Sequence, residues 1–144
     1  MNLIQSLEKD RDMARSLGMH EHDYKACSDM RMFCHKTGVA LWLSVHAVTE
    51  SLRRLHSTNH EYAGHPVPPM MSDCEGGGKF GNRCDNFIVI HRYIQSALDW
   101  MVTHLHVRKV KDTDTGMMPT TLDSPVRLRS LINNVGFSIE GEIW

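Results

Sequence analysis

Histidine and cysteine carry most of the chemistry this chain could do. Ten of its 144 residues are histidine and four are cysteine. Nothing marks the chain as secreted, so Cys27, Cys34, Cys74 and Cys84 are expected as free thiols or metal ligands rather than disulfides. His60, His65, Cys74 and Cys84 fall within one stretch. Zinc takes four Cys or His ligands, so zinc is the candidate ion, and it would staple that stretch. The spacing lacks the two close pairs of a finger.

The same stretch contains Glu75-Gly76-Gly77-Gly78-Lys79-Phe80-Gly81-Asn82-Arg83. Backbone amides of glycine-rich turns before a helix can cradle an anion, and cations beside them add charge. Gly77, Gly78, Lys79 and Arg83 are therefore the candidate ligand-binding residues, for a phosphate-bearing metabolite or an acidic partner group. The Gly-Lys-Ser/Thr arrangement of a P-loop is absent, and Glu75 and Asp85 oppose an anion there.

Other combinations are weaker. His46 and Glu50 stand one helical turn apart, as do His56 and His60. The Glu-x-x-His pair of di-iron bundles is missing. His22-Asp23 lacks the upstream histidine that metal-dependent phosphohydrolases use, and Asp23 serves better as a helix cap. No Gly-x-Ser-x-Gly elbow exists. Cys34 and His35 would point apart on a helix, and Cys27 and Cys34 suit a buried structural role. No residue emerges as catalytic.

These residues need elements to position them. Leu3, Leu7, Ala14 and Leu17 share one helical face, with Gly18 as the stop, which predicts a first helix over about 2–17. Three-four spacing from Cys27 to Leu55 predicts one long central helix over about 23–57, with two helices hinged at Thr37-Gly38 as the alternative. Phe87, Ile90, Ile94, Leu98, Met101 and Leu105 predict a third over about 85–110, capped by Asp85. Val89, Tyr93, Trp100 and Val107 give it a second apolar side, which suggests self-association. Ser124-Pro125 starts a short fourth helix ending near Asn134, with Gly136 as its stop. The alternating tail from Phe137 reads as a short strand or an extended arm. Residues 57–84 form a long irregular loop, and loops of that length are usually functional, disordered or internally held.

The expectation is a mainly α protein, a small helical bundle in a single domain over 1–144. Hydrophobic residues make up 41% and charged residues 23%, which is ordinary for a folded domain. No apolar run is long enough for a membrane span, and no secretory leader is visible, so the cytoplasm is the expected location. The net charge is −1. Scattered arginines and few aromatics make nucleic acid an unfavoured partner. Full protonation of the histidines would move the charge to +9, so charge should change steeply near pH 6.5.

Two functions compete. The first is a non-enzymatic binding or regulatory protein that self-associates and engages another protein or a small phosphate-bearing ligand. The second is a metal- or ligand-dependent enzyme, hydrolase in type, using the loop and nearby histidines. An enzyme would bring together several of His46, Glu50, His60, His91 and Asp99. A pure binder would leave them scattered.

Overall fold

Half of the predicted helices are strands. The computed structural model describes residues 11–75, 78–114, 118–132 and 135–140. Its elements are α1 (Arg11–Thr37), a 3-10 turn (Thr49–Arg53), a second 3-10 turn (Met71–Asp73), α2 (Lys79–Arg83), β1 (Asn86–His91), β2 (Val102–Val110), β3 (Val126–Ser130) and β4 (Phe137–Glu140). The mainly α bundle is therefore corrected to a protein with a four-stranded antiparallel sheet in the order β1-β2-β3-β4. Among the described residues, no helix is long and apolar enough to cross a membrane.

The chain divides into two compact units. One takes in Met1–Val48 and Met71–Cys84. Its helix α1 passes straight through Gly18 and ends at Thr37. An interior glycine costs a helix only about 1 kcal/mol, so Gly18 does not stop it. Gly38 does: it takes φ 69°, and its N–H donates to the Cys34 carbonyl at 2.9 Å, the left-handed helix cap. The chain breaks at Gly38, but neither sequence reading holds, since residues 39–48 form no helix and the single long helix and the second hinged helix are both absent there. Residues 39–46 form neither helix nor strand. Ala47 bridges Cys74, and the Glu75 N–H donates to the His46 carbonyl at 2.8 Å. The first residues of the predicted 2–17 helix, up to residue 10, lie outside the described residues.

The other unit takes in Thr49–Met70 and Asp85–Trp144. The predicted 85–110 helix is a hairpin of β1 and β2, and Asp85 is a bend before a strand, not a helix cap. Phe87-Ile88-Val89-Ile90 is dense in β-branched and aromatic side chains, which favour a pleated surface. Val102 to Val107 alternates between two sets with period two, the repeat of a strand. The predicted helix after Ser124-Pro125 is β3, with Pro125 just before the strand, where a missing N–H costs no ladder bond. Gly136, at φ 97°, turns the chain into β4, so the alternating tail does form a strand over Phe137–Glu140.

Register sorts the side chains of this sheet, because directly opposed residues share a face. Val89 opposes His106, His91 opposes His104, His104 opposes Arg127, Val102 opposes Arg129, and Arg127 opposes Glu140. The other face holds Ile88 against Val107, Ile90 against Leu105, Val126 against Leu105, and Leu128 against Ile139. The core lies on the polar face. Val102 is fully buried, His104 and His106 are 1% exposed, and Val89, Tyr93 and Tyr62 are buried with them.

Candidate functional site

The polar face is built by a two-residue repeat. His104 and His106 are alternate residues of β2 and project to one side of it. Arg108 lies at the bulge where the register shifts and is close enough to act on His106 and Tyr93. His91, the last residue of β1, stands opposite His104. Tyr93, just beyond it, packs edge-on against His91 at 4.6 Å and against His104 at 5.2 Å between ring centroids. Segment 54–67 lies over these rings. It is held by its own backbone: the His56 N–H donates to the His65 carbonyl at 2.9 Å, and the Val67 N–H to the Arg54 carbonyl at 2.7 Å. This part of the long loop is thus internally held. Tyr62 stacks flat on Tyr93 at 3.8 Å, and His56 stacks on His60 at 3.9 Å. His56 Nε2 lies 2.9 Å from the Tyr93 hydroxyl.

A charged network closes one side. The Tyr62 hydroxyl donates to Asp99. Arg127 Nη2 donates to both Asp99 oxygens at 3.1 and 3.0 Å, and its Nη1 donates to the Tyr62 hydroxyl at 3.1 Å. Its Nε donates to Glu140 at 3.1 Å, and Arg129 donates to the other Glu140 oxygen. Burial pushes the Asp99 carboxyl up, but the Tyr62 hydroxyl and Arg127 outweigh it and hold it below the usual range. Burial and the Asp99 bond push the Tyr62 phenol well above its ordinary value. Burial likewise takes Tyr93 up to about 12. Asp99 is thus a balanced anion inside the fold.

The imidazoles are not balanced. Burial, with His104 and His56 nearby, takes His91 down to about 4. Burial, followed by Arg108 and three neighbouring histidines, takes His106 to about 4. Burial and Arg127 lower His104, against the opposing pull of Asp99. At neutral pH the His91 and His106 rings are neutral. Among the described residues, His91 Nε2, both nitrogens of His106, and Arg108 Nε and Nη2 are buried without a hydrogen-bond partner. His104 Nε2 lies 3.7 Å from Asp99 Oδ2, beyond hydrogen-bond range. An unmet buried polar group costs about 1–3 kcal/mol, so such a concentration on one face needs a reason.

The sequence-predicted residues are distributed differently. His60 and His65 belong to the sheet unit, and Cys74 and Cys84 to the other. Among the described residues, no group of three or more His, Cys, Asp or Glu is placed to hold a metal ion. Gly77 lies outside the described residues, and Gly78 precedes α2, which is five residues long. Lys79 pairs with Asp23 at 3.2 Å, and the Arg83 guanidinium sits 4.2 Å over the Tyr24 ring. Both cations fasten α2 to α1. Of the five residues whose convergence would mark an enzyme, His60, His91 and Asp99 join the ring cluster through His56, Tyr93 and Tyr62, and His46 is in the other unit.

Tyr62, His104, His106, Arg108 and Arg127 were not singled out from sequence. The available signal was the alternation of His104 and His106, which is meaningless on a helix and decisive on a strand. Comparison with protein families, with curated proteins and with solved structures gave no match.

Proposed function

We propose that this chain captures a small oxyanion of the phosphate type on the imidazole and guanidinium face of its sheet. One observation supports the reading above all: five buried nitrogens of His91, His106 and Arg108 have no hydrogen-bond partner among the described residues. Arg108 supplies two cationic donors, and the neutral rings supply further donors and acceptors. A tetrahedral oxyanion accepts several such bonds at once, and charge-assisted bonds are the stronger kind. Arg108 is the positive charge this face offers an anion, since Arg127 is paired with Asp99 and Glu140. Glu61 and Asp123 oppose an anion there, both acting on Tyr93. The ligand class is the one the sequence suggested, moved from the glycine-rich segment, where Lys79 and Arg83 are engaged with Asp23 and Tyr24.

Calorimetric titration of inorganic phosphate into the intact protein tests this. Saturable binding is expected, weakened at least about tenfold by Arg108→Ala, since charge-assisted bonds are worth roughly 1.5–3 kcal/mol. Lys79→Ala should leave it unchanged. No binding to the wild-type protein, or loss of binding in Lys79→Ala alone, overturns the reading.

A second reading is a hydrolase acting on a phosphate ester at the same place. The convergence of His60, His91 and Asp99 on one ring cluster favours it. Release of inorganic phosphate from a phosphomonoester, abolished by His106→Ala, is its test.

A further inference from the structure

Six of the ten histidines gather in one ring cluster with the stacked pair Tyr62 and Tyr93. His56, His60 and His65 come from the covering segment 54–67, and His91, His104 and His106 from the sheet. Tyr62 fastens the segment to the sheet. Its ring stacks on Tyr93 and meets His104 edge-on at 5.5 Å, and its hydroxyl bonds Asp99 and Arg127. His56 is 9% exposed, lies on His60 at 3.9 Å and shares a hydrogen bond with the Tyr93 hydroxyl. Among the described residues no metal group claims these rings, so they are held by stacking and hydrogen bonds.

Such a place suits neutral rings. An imidazolium here would be a charge taken out of water, set against like charges wherever its neighbours also protonate. We propose that segment 54–67 is an acid-opened cover, which lifts off Tyr93 and the sheet when its own His56 and the histidines beneath it take protons, while the sheet stays folded. Local opening of this kind needs less free energy than unfolding. The opening does not depend on what the face binds.

Burial lowers His56, helped by His60 and His65 and opposed by Asp123. Burial, with His56 among the lesser causes, takes His91 and His106 down to about 4. In the open state these three rings meet water, where histidine titrates near pH 6.5. Opening therefore takes up protons that the closed form refuses, so its equilibrium constant is level above about pH 6.5 and rises as pH falls below it. The facing groups keep this sign. On its own segment His56 meets His60, His65 and the Tyr62 ring. From the sheet it meets Tyr93 and acts on His91 and His106, which also feel His104, and Arg108 acts on His106. Asp123 favours the charged form, but its side chain is 75% exposed, where an ion pair contributes little. Glu61 acts on Tyr93 and His104, and the Asp99 oxygens are taken by Tyr62 and Arg127.

Amide hydrogen exchange of the intact protein at about pH 7 and about pH 5.5, either side of the histidine range, in water and in low urea, tests this. The reporters are the His56, His65 and Val67 amides, which donate to the His65, Tyr62 and Arg54 carbonyls, set against the amides of β2. A segment this short does not keep such bonds alone in water, so lifting it exposes them. Corrected for the intrinsic rate, their protection should be lower than that of β2 and fall at least about tenfold between the two pH values, the effect of about one linked proton. Low urea should barely change it, because local opening uncovers little surface, while β2 should respond. His56→Phe keeps a ring on His60 and cannot protonate, so its fall should be at least about threefold smaller. Reporters that match β2 in rate and urea response, protection that holds level with pH, or a fall that His56→Phe keeps in full overturns the acid-opened cover. Should the variant fail to fold, the wild-type comparison still decides.

Discussion

The two faces of the sheet invert the usual arrangement. An antiparallel sheet commonly packs its apolar face on the core and turns its polar face to water. Here the face with His91, His104, His106 and Arg127 is the one covered, and His104 and His106 are 1% exposed. On the other face the edge-strand residues Ile88, Ile90, Phe137 and Ile139 are between 40% and 71% exposed, although Thr103 at its centre is 8% exposed and Leu105, Val126 and Leu128 are half-buried. Burying neutral imidazoles in place of isoleucines gives up hydrophobic stabilisation, about 25 cal/mol per Å² of apolar area. It also leaves nitrogens unmet. A fold that only needed to be stable would turn the sheet over. The buried face is therefore where function is to be sought, and the open face is where substitutions should matter least for stability.

The comparison breaks most sharply at the covering segment. Tyr93 is 4% exposed, stacks on Tyr62 and faces His56, His91 and His104. Tyr93→Ala should cost about 3–5 kcal/mol, the range for losing a large buried aromatic. Tyr93→Phe keeps the stack and loses the contact of the hydroxyl with His56, so about 1 kcal/mol is expected. Urea midpoints of the two variants give both values. If Tyr93→Ala cost no more than Tyr93→Phe, the cover would not depend on ring stacking.

Acid should strain the buried face next. His91 and His106 fall from an ordinary value of 6.5 to about 4 in the folded protein. Between these values the unfolded chain binds protons that the folded chain refuses, so stability falls as pH drops. The penalty is absent above about pH 6.5 and complete near pH 4. For His106, which is almost fully buried, it should reach about 2 kcal/mol near pH 5. His91 is less buried and adds less. Thermal melts from about pH 7 to pH 5 measure the slope, and His106→Leu should flatten it. A wild-type Tm that does not move across this window would show that these rings protonate freely, and the face would not be sealed.

How much of this was legible follows from the same contrast. The helix over 11–37 was visible in part, because three-four spacing and a glycine break at Gly38 both have local causes. The sheet was hidden because Ile90, Ile94 and Leu98 happen to fall four apart, which mimics a helical stripe. Short apolar runs do not separate helix from strand by periodicity. The β-branched density of Ile88-Val89-Ile90 was the better guide. Self-association was inferred from a second apolar side holding Tyr93, and that warrant is gone, since Tyr93 is in the core. His60, His91 and Asp99, three of the five residues whose convergence would mark an enzyme, join one ring cluster only through His56, Tyr93 and Tyr62 and not by direct contact. Their partners on β2 and β3 could not be seen while those segments read as helices. Register, a property of two strands together, is what gathers the site.

The smallest expected effect lies on the open face and closes the comparison. Ile90 is a β1 residue 71% exposed, although its neighbour in sequence, His91, faces the core. Ile90→Thr keeps the β-branch and so the strand preference. It removes little apolar area from shelter, because most of that area is already in water. A change within about 0.5 kcal/mol is therefore expected, as for surface substitutions generally. The matched change on the other face is Val89→Thr, at the adjacent and buried position. There a buried methyl gives way to a hydroxyl that must leave water, so about 1–3 kcal/mol should be lost. The two variants lie at adjacent positions and both put a threonine hydroxyl on a β-branched site, so their difference reports which face is sealed. Equal losses in urea denaturation would mean that the apolar face is covered in solution, and the inversion would not hold.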